Sequence, residues 1–245
     1  RLHEAGIATR YITVLPEGKD YDLLGKTYRT TPKGTQICID KFVKKKLKKI
    51  DTLKYKRSDL NLILPEHELY KQFRNRLGCL IWVENCKPEI SFHTSTLASV
   101  LQYLSLNDIL YMNDVIDSLQ ETAKVPVLLP VLSSTQPVCV QGICDASLQG
   151  RQDLSSQGAR ATGLRNLDAD NFAPCDVRST KIRRKASSSF DAETLQLVEQ
   201  TDICLLVKLL VEEIEYGKFS SLVERLLLQL DGYKVNITGL KTVID

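Results

Sequence analysis

Three histidines, His3, His67 and His93, and seven cysteines are the side chains of this sequence suited to nucleophilic, acid–base or metal chemistry. A nucleophilic triad needs a Ser or Cys presented on a strained turn and a His oriented by a carboxylate, and no GxSxG or related setting surrounds any serine here. Cys79 or Cys86 could approach His93 across a predicted hairpin, but a His at the end of a strand more often serves as a hydrogen-bonded structural residue. Zinc needs converging ligands, and neither Cys79 with Cys86 nor Cys139 with Cys144 has the spacing of a knuckle. Gly25 and Gly34 do not make a phosphate loop, because neither GxGxxG nor GxxxxGK[ST] occurs. Glu66, Glu68, Glu212, Glu213 and Glu215 fall on ordinary solvent faces. The expectation is a non-catalytic chain with no metal and no cofactor.

With 245 residues, 43% of them hydrophobic, the chain can bury a real core. A net charge of +3 is too small to drive nucleic-acid or membrane binding by itself, so electrostatic arguments rest on local clusters. No apolar run approaches the roughly 20 residues that span a bilayer. The odd, scattered cysteines imply reduced thiols and an intracellular setting. The chain opens on Arg1 and holds one methionine, Met112, so it reads as a fragment.

Residues 7–43 alternate β-formers with Pro/Gly turns, as in an antiparallel meander. Glu66–Arg76 reads as a helix ended by Gly78, Cys79–Val83 as a buried strand, and Glu89–His93 as its partner. Two helices follow, the second capped by Asn107. Val125–Leu132 and Val138–Ile143, interrupted by prolines, read as edge strands. Residues 145–189 are rich in Ser, Gly, Arg, Asp and Gln and lack periodicity; they are expected to be a flexible linker.

Two basic clusters stand out. Lys44, Lys45, Lys46, Lys48, Lys49, Lys54, Lys56 and Arg57 lie among Phe42, Val43, Leu47 and Ile50 at near-helical spacing, which gives a patch for nucleic-acid phosphates, an acidic partner or nuclear import. Further on, Lys181–Lys185 runs into Ser187 and Ser188, candidate phosphorylation sites and helix caps.

From Phe190 onward, start and stop signals agree on a helical hairpin: caps at Ser188 and Ser189, acids in the first turn, Gly217 as a stop, and a second start at Ser221 with Glu224. The apolar residues from Ile203 to Val211 go nearly all round the first helix, so it must be buried against a domain or a partner. Leu206, Leu210, Leu226 and Leu227 are the candidate partner-binding residues.

The fold is expected to be α+β: an antiparallel sheet with flanking helices (1–144), the linker (145–189), and a helical hairpin with a short final strand (190–245) that packs on the first domain or on a partner. The functional expectation is a protein-interaction or scaffold subunit of a larger intracellular, nuclear assembly, engaging another protein chain and no membrane. A nucleic-acid-binding module using residues 41–57 is the alternative.

Overall fold

A computed structural model describes residues 17–55, 62–133, 135–151, 154–167, 169–216 and 241–243, with the backbone alone for 212–216 and 241–243. The described residues fall into two compact units. One extends to Val131 and includes Val177–Arg183; the other holds Leu132–Asp176 and the chain from Arg184 onward. The fold is α+β.

In the first unit, β1 (Asp20–Leu23), β2 (Lys26–Thr31), β3 (Gly34–Cys38) and β4 (Val127–Pro130) form an antiparallel sheet in that order. The β1–β2 connection is a two-residue turn with Leu24 (φ 52°) and Gly25 (φ 79°) both left-handed, which matches the twist of a tight hairpin. At Gly34 a Cβ would stand 2.1 Å from the carbonyl oxygen of Leu129, so only glycine lets β3 meet β4 there.

The core of this unit is built by helices: α1 (Asp40–Lys46), α2 (Glu68–Glu84), α3 (Ser91–Ser99) and α4 (Leu106–Thr122). Here four expectations are corrected. Cys79–Val83 is not a strand but the last turns of α2, because Leu69, Phe73, Leu77, Leu80 and Val83 make one continuous buried stripe at helical spacing. Gly78 does not stop the helix; it sits on the exposed side, where it costs about 1 kcal/mol of helix propensity without blocking anything. Glu89–His93 likewise enters a 3-10 turn at Pro88–Ile90 and then α3. The start of α4 also lies earlier than Asn107: the Asp108 carboxylate accepts from the Ser105 N–H at 2.8 Å and from its hydroxyl at 2.6 Å. Past the other end of α4, the buried ammonium of Lys87 donates to the carbonyls of Thr122 (2.9 Å) and Val125 (2.8 Å), supplying the cation a helix C-terminus favours.

In the second unit, β5 (Val138–Ser147), β6 (Gln157–Asn166), β7 (Ala173–Lys181) and β8 (Lys241–Val243) form a sheet ordered β7-β6-β5-β8. Of β7, Ala173–Asp176 belongs to this unit. The stretch 145–189, expected as a linker without regular structure, therefore carries the end of β5, all of β6 and β7. Composition misleads here because these strands are stabilised by backbone pairing and need few large side chains. Val138–Ile143 is likewise interior to its sheet, with β6 antiparallel on one side and β8 parallel on the other. The final strand thus returns to the sheet.

Helix α5 (Ser189–Tyr216) lies on β5 and β6. Its sheet side is a stripe at four-residue spacing, Ala192, Gln196, Gln200 and Cys204, all at most 2% exposed. Glycines make room for it. A Cβ at Gly142 would fall 2.5 Å from Cys204 Sγ and 2.1 Å from Gln200 Nε2, and one at Gly158 would fall 1.8 Å from Gln196 Oε1. Gln200 Nε2 donates to Thr162 Oγ1 at 2.9 Å, but neither end of the Gln196 amide has a hydrogen-bond partner.

Two substitutions test this seam by thermal unfolding. Gly142→Ala should destabilise the second unit by about 1–3 kcal/mol, since the short Cys204 side chain has little room to withdraw. Gln196→Leu, similar in volume and free of the unpaired amide, should raise stability by about 1–2 kcal/mol. A Gln196→Leu variant that melts no higher than the parent would show that the amide is satisfied after all.

Candidate functional site

The first basic cluster is presented by a pinned backbone. Val43, Leu47 and Ile50 anchor α1 and the residues after it in the helical core, so the lysines between them are turned outward. Three side chains hold the segment where α1 ends. Gln120 Nε2 donates to the Leu47 carbonyl (2.8 Å) and Arg76 Nε to the Lys48 carbonyl (2.8 Å). Asn113 closes a two-way pair with Ile50, accepting its N–H at 2.8 Å and donating to its carbonyl at 3.0 Å. Such bonds satisfy backbone groups left without helical partners at the end of a helix.

Within the cluster the structure separates engaged cations from free ones. Lys44 pairs with Asp40 and Lys49 with Asp117, each at 2.8 Å. Lys45, Lys46, Lys48 and Lys54 are exposed and form no ion pair among the described residues. Lys56 and Arg57 lie outside the described residues. Tyr55 packs against the core and edge-on to His67, with ring centres 5.6 Å apart, so the patch offers cations without a free aromatic platform.

The second candidate surface is the outward side of α5. Val198 is 56% exposed, Leu205 40%, Leu206 49% and Leu210 48%, while the sheet side carries two glutamines. From Ile203 to Val211 only Cys204 is fully buried, so the described part of the helix keeps an open face, as the partner alternative expected. Leu206 and Leu210 are therefore brought to one exposed surface, whereas Leu226 and Leu227 lie outside the described residues, as does the second helix expected from Ser221. Beside this surface, Arg160, nearly buried, bridges Asp176 (3.0 Å) and Glu199 (2.6 Å), tying β6 to the flank of α5. Sequence reasoning missed Gly142, Gly158, Thr162 and Arg160 as the residues that orient the helix. Gly158, Arg160 and Thr162, alternating along β6, were the available signal.

Ser187 and Ser188 sit at the helix start. Ser188 Oγ accepts the Asp191 N–H at 3.1 Å, and both the hydroxyl and the N–H of Ser187 donate to the Asp191 carboxylate. Phosphorylation of Ser187 would replace a donor to Asp191 by a dianion, so this cap is where such a modification would be felt.

Among the described residues, which do not include His3, other candidate chemistry is not assembled. His93 Nδ1 meets the Tyr111 hydroxyl, Cys79 donates to Asn75, and neither Cys79 nor Cys86 is hydrogen-bonded to His93. Burial pushes the Cys144 and Cys204 thiols above the usual range, away from the reactive thiolate. Among the described residues no group of three or more His, Cys, Asp or Glu side chains could hold a metal ion, and no helix is long and apolar enough to cross a membrane. In the first unit a cavity of about 300 Å³ is lined by Asp20, Arg29, Asp40, Lys41 and Lys124, with other residues. Its charges are largely spent on Arg29–Asp20 (2.6 Å), Lys41–Asp22 (2.7 Å) and Lys44–Asp40 (2.8 Å).

The cap of α5 carries a pH dependence. The Ser187 hydroxyl, helped by the Ser187 N–H and by Ser188, holds the Asp191 carboxyl below its ordinary 3.8. Because the folded value is the lower one, the cap's contribution is complete above the unfolded value and is lost as pH falls through the folded one. The Asp191 carboxyl resonance should titrate below that of a free aspartate, and Ser187→Ala should move its midpoint up; an unmoved midpoint would remove the Ser187 contact from the account. No family model matches this chain, and no curated protein matches it.

Proposed function

We propose that this chain is a non-catalytic protein-interaction or scaffold module of a larger intracellular, nuclear assembly, and that α5 is the element it presents to a partner. The observation that carries the reading is the inversion of α5, which seats glutamines on its own sheet and leaves Val198, Leu205, Leu206 and Leu210 half exposed. Covering the remaining exposed part of each would be worth roughly 1 kcal/mol, enough for a modest but specific contact when several act together. The exposed basic run at Arg183–Lys185 supports the nuclear part of the reading.

Leu206→Asp tests it. Because Leu206 is half exposed, this variant should keep its helical circular dichroism and melt within about 1 kcal/mol of the parent. Partners recovered with the parent chain should be lost with the variant. Recovery of the same partners by a folded Leu206→Asp chain would sink the assignment of α5.

A second reading is favoured by Lys45, Lys46, Lys48 and Lys54, exposed and without ion pairs among the described residues: the first unit binds nucleic-acid phosphates. With Tyr55 packed away, recognition would run through the phosphates alone, so binding would be indifferent to sequence and steep in salt. Changing these four lysines to Glu together should reduce the salt slope of oligonucleotide binding by about 3–4, at roughly 0.9 per lost phosphate contact. No salt-dependent binding by the parent chain would eliminate this reading.

A further inference from the structure

Building on the proposed role of α5, we infer that its outward face is made for one kind of partner: an amphipathic helix whose apolar stripe is flanked by Lys or Arg. Two observations meet here. The first is a seam. Leu195, Val198, Asp202, Leu205 and Leu209 recur alternately three and four residues apart, the spacing by which one helix packs along another, and Leu206 and Leu210 widen it on one side. Within that seam Asp202 is exposed and forms no ion pair among the described residues.

The second is charge. By sequence, helix α5 holds seven acidic residues, Asp191, Glu193, Glu199, Asp202, Glu212, Glu213 and Glu215, against a single lysine, Lys208. An apolar stripe with an acidic side chain inside it, on so acidic a helix, selects a partner with leucines on the seam and cations around them, because a neutral or acidic partner would leave Asp202 desolvated and unpaired.

The same charges argue against other occupants. A second copy of α5 would bring one acidic helix against another. The chain's own basic helix, α1, cannot dock from another copy, since Val43 and the adjoining Leu47 are 0% exposed and Phe42 is packed on the core against Trp82, which leaves no apolar stripe to offer. Nucleic acid and anionic membrane surfaces have the wrong sign for this face. In the partner helix, a Lys or Arg at the seam position opposite Asp202 sets the register, as a single polar seam residue does in paired helices.

The test uses the full chain and two synthetic helical peptides of about 21 residues, roughly six turns, with leucines at seam positions and either lysines or glutamates flanking them. Binding is read by fluorescence anisotropy, with self-association followed by sedimentation. The lysine peptide should bind at least about tenfold more tightly than the glutamate peptide, and the gap should narrow between about 50 and about 300 mM salt. Asp202→Lys should shift the preference toward the glutamate peptide, and Leu206→Ala should weaken both while circular dichroism stays unchanged. Equal binding of the two peptides would overturn the basic-helix inference and leave α5 as an interaction face. Self-association abolished by Leu206→Ala would overturn it in favour of a second copy. Binding of neither peptide would overturn it outright, while loss of natural partners with Leu206→Asp would still hold for α5.

Discussion

Glycines at 142 and 158 decide which side of α5 meets its sheet, and the surface this unit shows follows from that choice. With no Cβ at either position, the stripe Ala192, Gln196, Gln200 and Cys204 can settle close to β5 and β6. Arg160 locks the rotation from the flank by reaching Glu199 and Asp176 at once. A nearly buried guanidinium with two carboxylates is costly to disrupt, since removing one partner leaves charge uncompensated. The helix therefore cannot roll its leucines inward without unmaking both the glycine seats and the ion cluster.

The seam is also where this unit gives up stability. Neither end of the buried Gln196 amide is bonded, and a buried amide of that kind costs about 1–3 kcal/mol. A leucine from the outward face would fill the same space without that cost. An arrangement that keeps glutamine inside and leucine outside makes sense if the outward leucines serve another surface, which is the physical content of the proposed interaction role.

The first unit solves the opposite problem. There Val43 of α1 and Leu47 just after it point inward, and the backbone that follows is fastened by Gln120, Arg76 and Asn113. Lysines on so fixed a backbone lose little backbone freedom when an anion docks, so a patch of this kind is better suited to binding than the same lysines on a mobile tail. Asp40 restrains Lys44 and Asp117 restrains Lys49, which leaves the neighbouring Lys45, Lys46 and Lys48 to face an incoming anion. The two units thus expose patches of opposite character: unpaired lysines around the end of α1 on one, and apolar residues with Asp202 among them on α5 of the other.

Local signals are sufficient for much of this. The meander of β2 and β3, the start of α5 at Ser188, the outward lysines of α1 and the α+β class follow from turn residues, caps and periodicity, which act within a few residues of one another. A short apolar run read alone, as at Cys79–Val83, passes for a strand, because so few residues do not distinguish a buried strand from the end of a helix whose stripe begins at Leu69. The strands β6 and β7 are invisible to composition, since their stability lies in pairing rather than in large side chains. The orientation of α5 is likewise beyond local reading: a helix apolar all round has no preferred side of its own, and the choice is made by two glycines and an arginine on strands about forty to sixty residues earlier. What the sequence by itself determined was where α5 begins and which residues could face a partner; tertiary structure alone decided which of them do, because burial is a property of what packs opposite.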